Sequence, residues 1–138
     1  MRHNKFFSAA IVVCMIALFT MGWKSFPSHK PGPVHMTIVG IPNGIFTASG
    51  ALETSGTNFM DVRSSGKSHA GAIHCTNSVV TPDGTFTILM NCQFSTSTGQ
   101  WRIINGTGAY TNLRGNGSLI MTTNTDGLPV ETLDGKIF

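Results

Sequence analysis

Cysteine, tyrosine, acid and helix-forming residues are all in short supply in this chain. Of 138 residues, three are cysteine, one is tyrosine and six are Asp or Glu. With no Cys-x-x-Cys and no cluster of histidines, a metal site has no ligand set to draw on. No Gly-x-Ser-x-Gly elbow is present, which removes the hydrolase nucleophile of that type. The glycine-rich stretch of residues 105–118 contains no Lys and runs from strand to strand, so it is not a phosphate-cradling loop. No pair of carboxylates has a spacing that suggests general acid and base roles. From Val34 onward helical periodicity of useful length is missing too, and Ala, Leu and Glu are scarce. The residues that remain, rich in Gly, Thr, Ser and Asn, point to an all-β protein with no cofactor.

Length and charge divide the chain. It is long enough for one core and one domain. Arg2, His3 and Lys5 precede an uninterrupted apolar run from Phe6 to Met21, the pattern of a signal peptide. Uncleaved, residues 1–22 would be a membrane anchor instead. Either way the expectation is export, as a secreted protein or one tethered outside the membrane. Residues 23–33, with SFPSHKPGP, read as a linker, and 34–138 as the domain. The domain carries five basic and six acidic residues, so the basic excess belongs to the leader and gives no footprint for nucleic acid.

Eight β-rich runs follow, roughly 34–40, 45–54, 58–64, 70–81, 85–95, 100–105, 117–123 and 130–138. In TFTILMNCQF, Phe86, Ile88, Met90, Cys92 and Phe94 alternate onto one face. Trp101 with Ile103, and Phe46 with Ala48, continue the pattern in other runs. The last run reaches the final residue and needs a partner, and the first run is the natural one. The expectation is an eight-stranded antiparallel closed barrel, since closure removes exposed edges. Phe46, Phe86, Ile88, Met90, Phe94 and Trp101 either fill its centre or line a cavity.

Cys75 and Cys92 flank TPDGTF. An Asp83-Gly84 turn pairs residues whose numbers sum to 167, as those of the two cysteines do. They would then face each other at ~4.5 Å between Cα atoms, within the ~4.4–6.8 Å a disulfide needs. In an oxidising compartment a bridge is expected, contributing roughly 3 kcal/mol.

The stretch NGTGAYTNLRGNGS, residues 105–118, lies between two strand-like runs. It reads as a tight corner. Gly106 and Gly108, on either side of Thr107, permit positive φ or close approach. Tyr110 and Leu113 turn inward to plug the barrel end, and Gly115 and Gly117 let the chain re-enter a strand. From Trp101 to Leu119 the sequence resembles the signature of the allene oxide cyclase and dirigent barrel superfamily, above all small exported bacterial members. Gly44–Gly50 and the cysteines on central strands are similar to features of those proteins. The resemblance implies an eight-stranded barrel with an apolar cavity, a small hydrophobic ligand and assembly into homo-oligomers. No residue matches the catalytic set of the cyclases.

Other candidates for chemistry are few. Asp61 and Arg63 share a face at i, i+2, either orienting a ligand inside the barrel or lying on its surface. His69 and His74 differ in parity and do not form one site, and His35 has no visible partner. Arg102 and Arg114 flank the corner and either pair with Asp134 or an acidic ligand or lie solvated on the surface. The expected function is non-catalytic: binding of a small hydrophobic molecule, or a structural role at the cell surface. The alternative is an isomerase or cyclase that shapes an apolar substrate in the cavity.

Overall fold

The computed structural model of the chain describes residues 29–63 and 71–138. The leader, the linker up to residue 28, Lys67 and His69 lie outside the described residues. Eight strands follow in order: β1 Gly32–Val39, β2 Asn43–Gly50, β3 Thr54–Arg63, β4 Ala72–Thr81, β5 Gly84–Gln93, β6 Thr98–Gly106, β7 Gly115–Thr123 and β8 Pro129–Ile137. Each pairs antiparallel with the next, and β8 returns to β1 along Gly32–Val39, closing a barrel. Each of the eight sequence runs overlaps one strand. β1 starts two residues before Val34, because Gly32 and Pro33 pair with Ile137 and Lys136. β3 starts at Thr54 rather than near 58, because the chain turns at Ala51 and Leu52 immediately before it.

Alternation sets the core. Met36 and Ile38 of β1, Phe46 of β2, Val79 of β4, Phe86, Ile88 and Met90 of β5, Trp101 and Ile103 of β6, and Leu119 and Leu133 of β7 and β8 all point inward and are buried. Trp101 fits because β8 offers no side chain beneath it. A Cβ at Gly135 would lie 2.6 Å from the indole. The indole Nε1–H donates to the Asp134 carbonyl at 3.3 Å.

One end of the barrel is sealed. Between β6 and β7 the chain makes a 3₁₀ turn, Gly108–Tyr110, that swings Tyr110 into the lumen. Tyr110 packs on Phe86 with ring centroids 5.0 Å apart, and its hydroxyl lies 2.9 Å from Thr54 Oγ1 and 3.0 Å from Thr81 Oγ1. His29 stacks on the ring from outside, and Leu113 is buried beside it. Gly108 has φ +59°, and a Cβ there would meet the Asp83 carbonyl at 2.4 Å. This corner docks on the β4–β5 turn: Ala109 N–H donates to Asp83 O and Thr107 N–H to Thr85 O.

That docking explains a correction to the register. The turn is Pro82-Asp83, with Thr81 opposite Gly84. Proline at the second position and glycine at the fourth suit a tight turn, and Thr81 Oγ1 accepts the Asp83 N–H at 3.2 Å. Gly84 does not supply the turn. Its φ of +145° lets the backbone pass close to Thr107 O. The pairing is therefore displaced by two residues: Cys75 faces Met90, and Cys92 faces Ile73. The cysteines keep their inward parity but become diagonal neighbours. Diagonal Cα atoms are ~7–8 Å apart, beyond the ~6.8 Å that a bridge spans. In place of the expected disulfide the structure holds two free, buried thiols.

Candidate functional site

At the opposite end the described residues form an open cup of about 340 Å³. Its wall is built by the far ends of five strands and the β1–β2 connection: Ile41, Met60 and Val62 of β3, Ile73 and Cys75 of β4, Cys92 and Phe94 at and just beyond the end of β5, Met121 of β7, and Pro129 and Glu131 of β8. That volume lies within the range of small-molecule sites, and the lining has their usual character, mostly apolar with few polar groups. Among the described residues Glu131 is the one charged residue of the lining.

Glu131 sits at an inward position of β8, in line with Leu133 and Ile137, and is almost fully buried. Its Oε2 accepts a hydrogen bond from Asn77 Nδ2 at 3.2 Å. Asn77 is on β4, four strands from β8 around a ring of eight, so this bond crosses the lumen and floors the cup. The same amide nitrogen lies 3.4 Å from Met90 Sδ. Burial pushes the Glu131 carboxyl up to about 7, while the Asn77 hydrogen bond pulls the other way. A buried carboxylate has lost its water, and one amide donor replaces only part of it.

Further polar groups lie beneath the floor. Asn77 Oδ1 and both amide atoms of Asn58 are buried without a partner among the described residues. Asn58 is the diagonal neighbour of Asn77 across β3 and β4, since it faces Val79 while Met60 faces Asn77.

The two thiols belong to the cup wall. Cys75 donates its hydrogen bond to Cys92, which together with burial drives the Cys75 thiol far up. Accepting that bond lowers Cys92, against the opposing effect of burial. Both thiols also sense the Glu131 charge, which places the three groups around one space.

The residues singled out in the sequence are distributed differently. Of the six apolar cavity candidates, Phe94 alone lines the cup, and it is 58 % exposed at the rim. Phe46, Phe86, Ile88, Met90 and Trp101 are packed core. Asp61 is exposed on the outer face of β3, between the inward Met60 and Val62, and Arg63 ends that strand. By strand parity Asp61 belongs outside the lumen. The corner residues Gly106, Thr107, Gly108, Tyr110, Leu113, Gly115 and Gly117 lie at or next to the sealed end, away from the cup. His35 does have a partner: its Nδ1 is 2.6 Å from Asp134 Oδ1 on the outer wall. Arg114 reaches the Leu113 carbonyl rather than Asp134. His74, opposite in parity to Cys75, bonds Asn91 Oδ1 outside the barrel. A larger hollow of about 580 Å³ on the outer wall, edged by Leu89, Asn91, Arg102 and Asn116, is open and has no buried ionisable group. Among the described residues no group of three or more His, Cys, Asp or Glu is placed to hold a metal.

Sequence reasoning passed over Glu131, Asn77 and Asn58. The available signal was parity: an acid on the same strand face as Leu133 and Ile137, and an amide on the same face as Cys75 and Val79. In comparisons with known proteins, no family model, no curated protein and no solved structure matches this chain.

Proposed function

We propose that this barrel binds a small, mainly apolar molecule in the open cup, with Glu131 engaging its one polar group. The observation that carries the reading is a single carboxyl at the bottom of an otherwise apolar cup. An apolar guest would cover Met60, Ile73, Met121 and Phe94, gaining roughly 25 cal/mol for each Å² removed from water. The closed eight-stranded meander and the 101–119 corner support kinship with the allene oxide cyclase and dirigent barrels. Export, as the leader suggests, remains part of the same proposal.

A second reading is catalytic, and one observation favours it. A carboxyl pushed up to about 7 is matched to proton transfer near neutral pH. The corresponding activity would be isomerisation of an apolar substrate by proton shuttling at Glu131. Asp61, exposed on the outer face of β3, has no part in it.

The test is thermal unfolding of the full chain against a panel of apolar molecules, repeated with Met60→Trp to fill the cup. A ligand at about one hundred times its Kd adds about 2.7 kcal/mol, a clear rise in Tm. The rise should vanish in the variant. If no molecule moves Tm, or if the shift survives Met60→Trp, the cup is not a binding site.

A further inference from the structure

The charge arrangement of the cup reaches beyond the statement that it binds apolar molecules. The geometry points to ligands whose polar end is uncharged or cationic, such as an alcohol, a ketone or an amine on an apolar body, and to exclusion of anionic amphiphiles such as fatty carboxylates. This inference rests on the cup being a binding site.

Three observations carry it. First, among the described residues the lining contains no Lys, Arg or His, so none of them neutralises an incoming anion. Arg102 of β6 and Lys136 of β8 are exposed on the outer wall. Second, among the described residues the ionisable groups that face Glu131 are Cys75 of β4 and Cys92 of β5, and its hydrogen-bond donor is the neutral amide of Asn77. A carboxylate guest would bring a second negative charge beside the first. Two such groups in an apolar space cannot both stay ionised, and one must take up a proton. Third, Asn77 Nδ2 occupies Oε2, and Oε1 bonds nothing among the described residues. That oxygen is the one left for a guest. Protonated, it donates to a ketone or hydroxyl oxygen. Ionised, it accepts from a hydroxyl or an ammonium group.

The sign of the pH dependence follows. Burial holds the carboxyl up to about 7. An alcohol has a partner in both states, so its affinity changes little with pH. A ketone binds better below neutral pH and an amine better above it. A carboxylate enters only when the pair carries a shared proton, so its affinity falls as pH rises.

The experiment is calorimetry on the full chain with octan-1-ol, octan-2-one, octylamine and octanoate, at about pH 5.5 and about pH 8. At the higher pH, octanoate should bind at least tenfold more weakly than octan-1-ol, and the gap should narrow at the lower pH. Glu131→Gln should remove most of that discrimination. Should this variant fail to fold, Met121→Lys supplies a cation at the rim and should restore octanoate binding. Octanoate binding as tightly as octan-1-ol at about pH 8 would overturn the charge selection while leaving the cup as a binding site. Discrimination that persists in Glu131→Gln would overturn it as well. Failure of every probe at both pH values would bring down the binding reading itself, and this inference with it.

Discussion

Asn77 on β4 donates its side-chain amide to Glu131 on β8 across the full width of the barrel, at 3.2 Å. Two strands that share no ladder are thereby tied through the lumen. The bond marks the level at which packed core gives way to the open cup. Beyond it toward the corner lie Phe46, Phe86 and Tyr110, with the Phe86 ring in contact with the other two. On the other side lie the thioether, thiol and aliphatic groups of the cup wall.

Glu131 should make the barrel less stable as pH rises. The carboxyl is held up to about 7 in the folded chain by burial, against about 4.3 in an unfolded one. Below the unfolded value both forms are protonated and the fold is not penalised. Through the interval the unfolded chain ionises first, and stability falls until both forms are ionised above about 7. The loss amounts to roughly 3 kcal/mol. Urea unfolding at about pH 5 and about pH 8 should show it, and Glu131→Gln should flatten this part of the profile. A wild-type profile already flat across that interval would mean that the carboxyl is not desolvated.

The thiol pair should react asymmetrically. Cys75 donates to Cys92, which makes Cys92 the better thiolate and leaves Cys75 protonated. Because the thiolate is the nucleophile, brief treatment of the native full chain with iodoacetamide should alkylate Cys92 several-fold faster than Cys75, read by peptide mass spectrometry. An occupant of the cup should slow that reaction, because Cys92 lines it. Faster labelling of Cys75 would reverse the donor and acceptor assigned here.

Much of the barrel was legible because strands that bury one face alternate, and Phe86 to Cys92 display that alternation along one strand. Closure was legible too, since the final run had no other edge to pair with. The cysteine pairing was misjudged for a physical reason: Pro82-Asp83 and Asp83-Gly84 are both good turns. The choice between them depends on the corner at Thr107 and Gly108 docking from far along the chain. A displacement by two preserves parity, so burial came out as expected while partners did not. Which inward residues line the cup was hidden as well. That depends on which end Tyr110 seals, and alternation carries no information about depth. Glu131 was visible as an inward acid, but its role emerges only when β4 is brought opposite β8.

Tyr110 should hold the sealed end through its hydroxyl as well as its ring. Tyr110→Phe keeps the contact with Phe86 and leaves the hydroxyls of Thr54 and Thr81 without their shared partner. The cost should be about 1–3 kcal/mol in urea unfolding. Binding in the cup should be unaffected, because the substitution lies at the other end of the lumen. A loss below about 0.5 kcal/mol would show that the two threonines find other partners at once.

Gly135 should be among the least replaceable positions of the barrel, although its backbone is not in the left-handed region. A Cβ there would lie 2.6 Å from Trp101 Cζ2 and 2.1 Å from the Asn116 carbonyl oxygen. The first contact is with the rim of a buried ring and the second with the backbone of the adjacent strand, so neither yields easily. Overpacking alone costs about 1–3 kcal/mol, and Gly135→Ala should lose at least that much. Pairing it with Trp101→Phe separates the two contacts. The smaller ring relieves the first and leaves the second, so the double variant should be less destabilised than the sum of its parts while still falling below Trp101→Phe alone. Full additivity would mean that the indole moves freely away from β8 and that the glycine serves only the β7–β8 ladder.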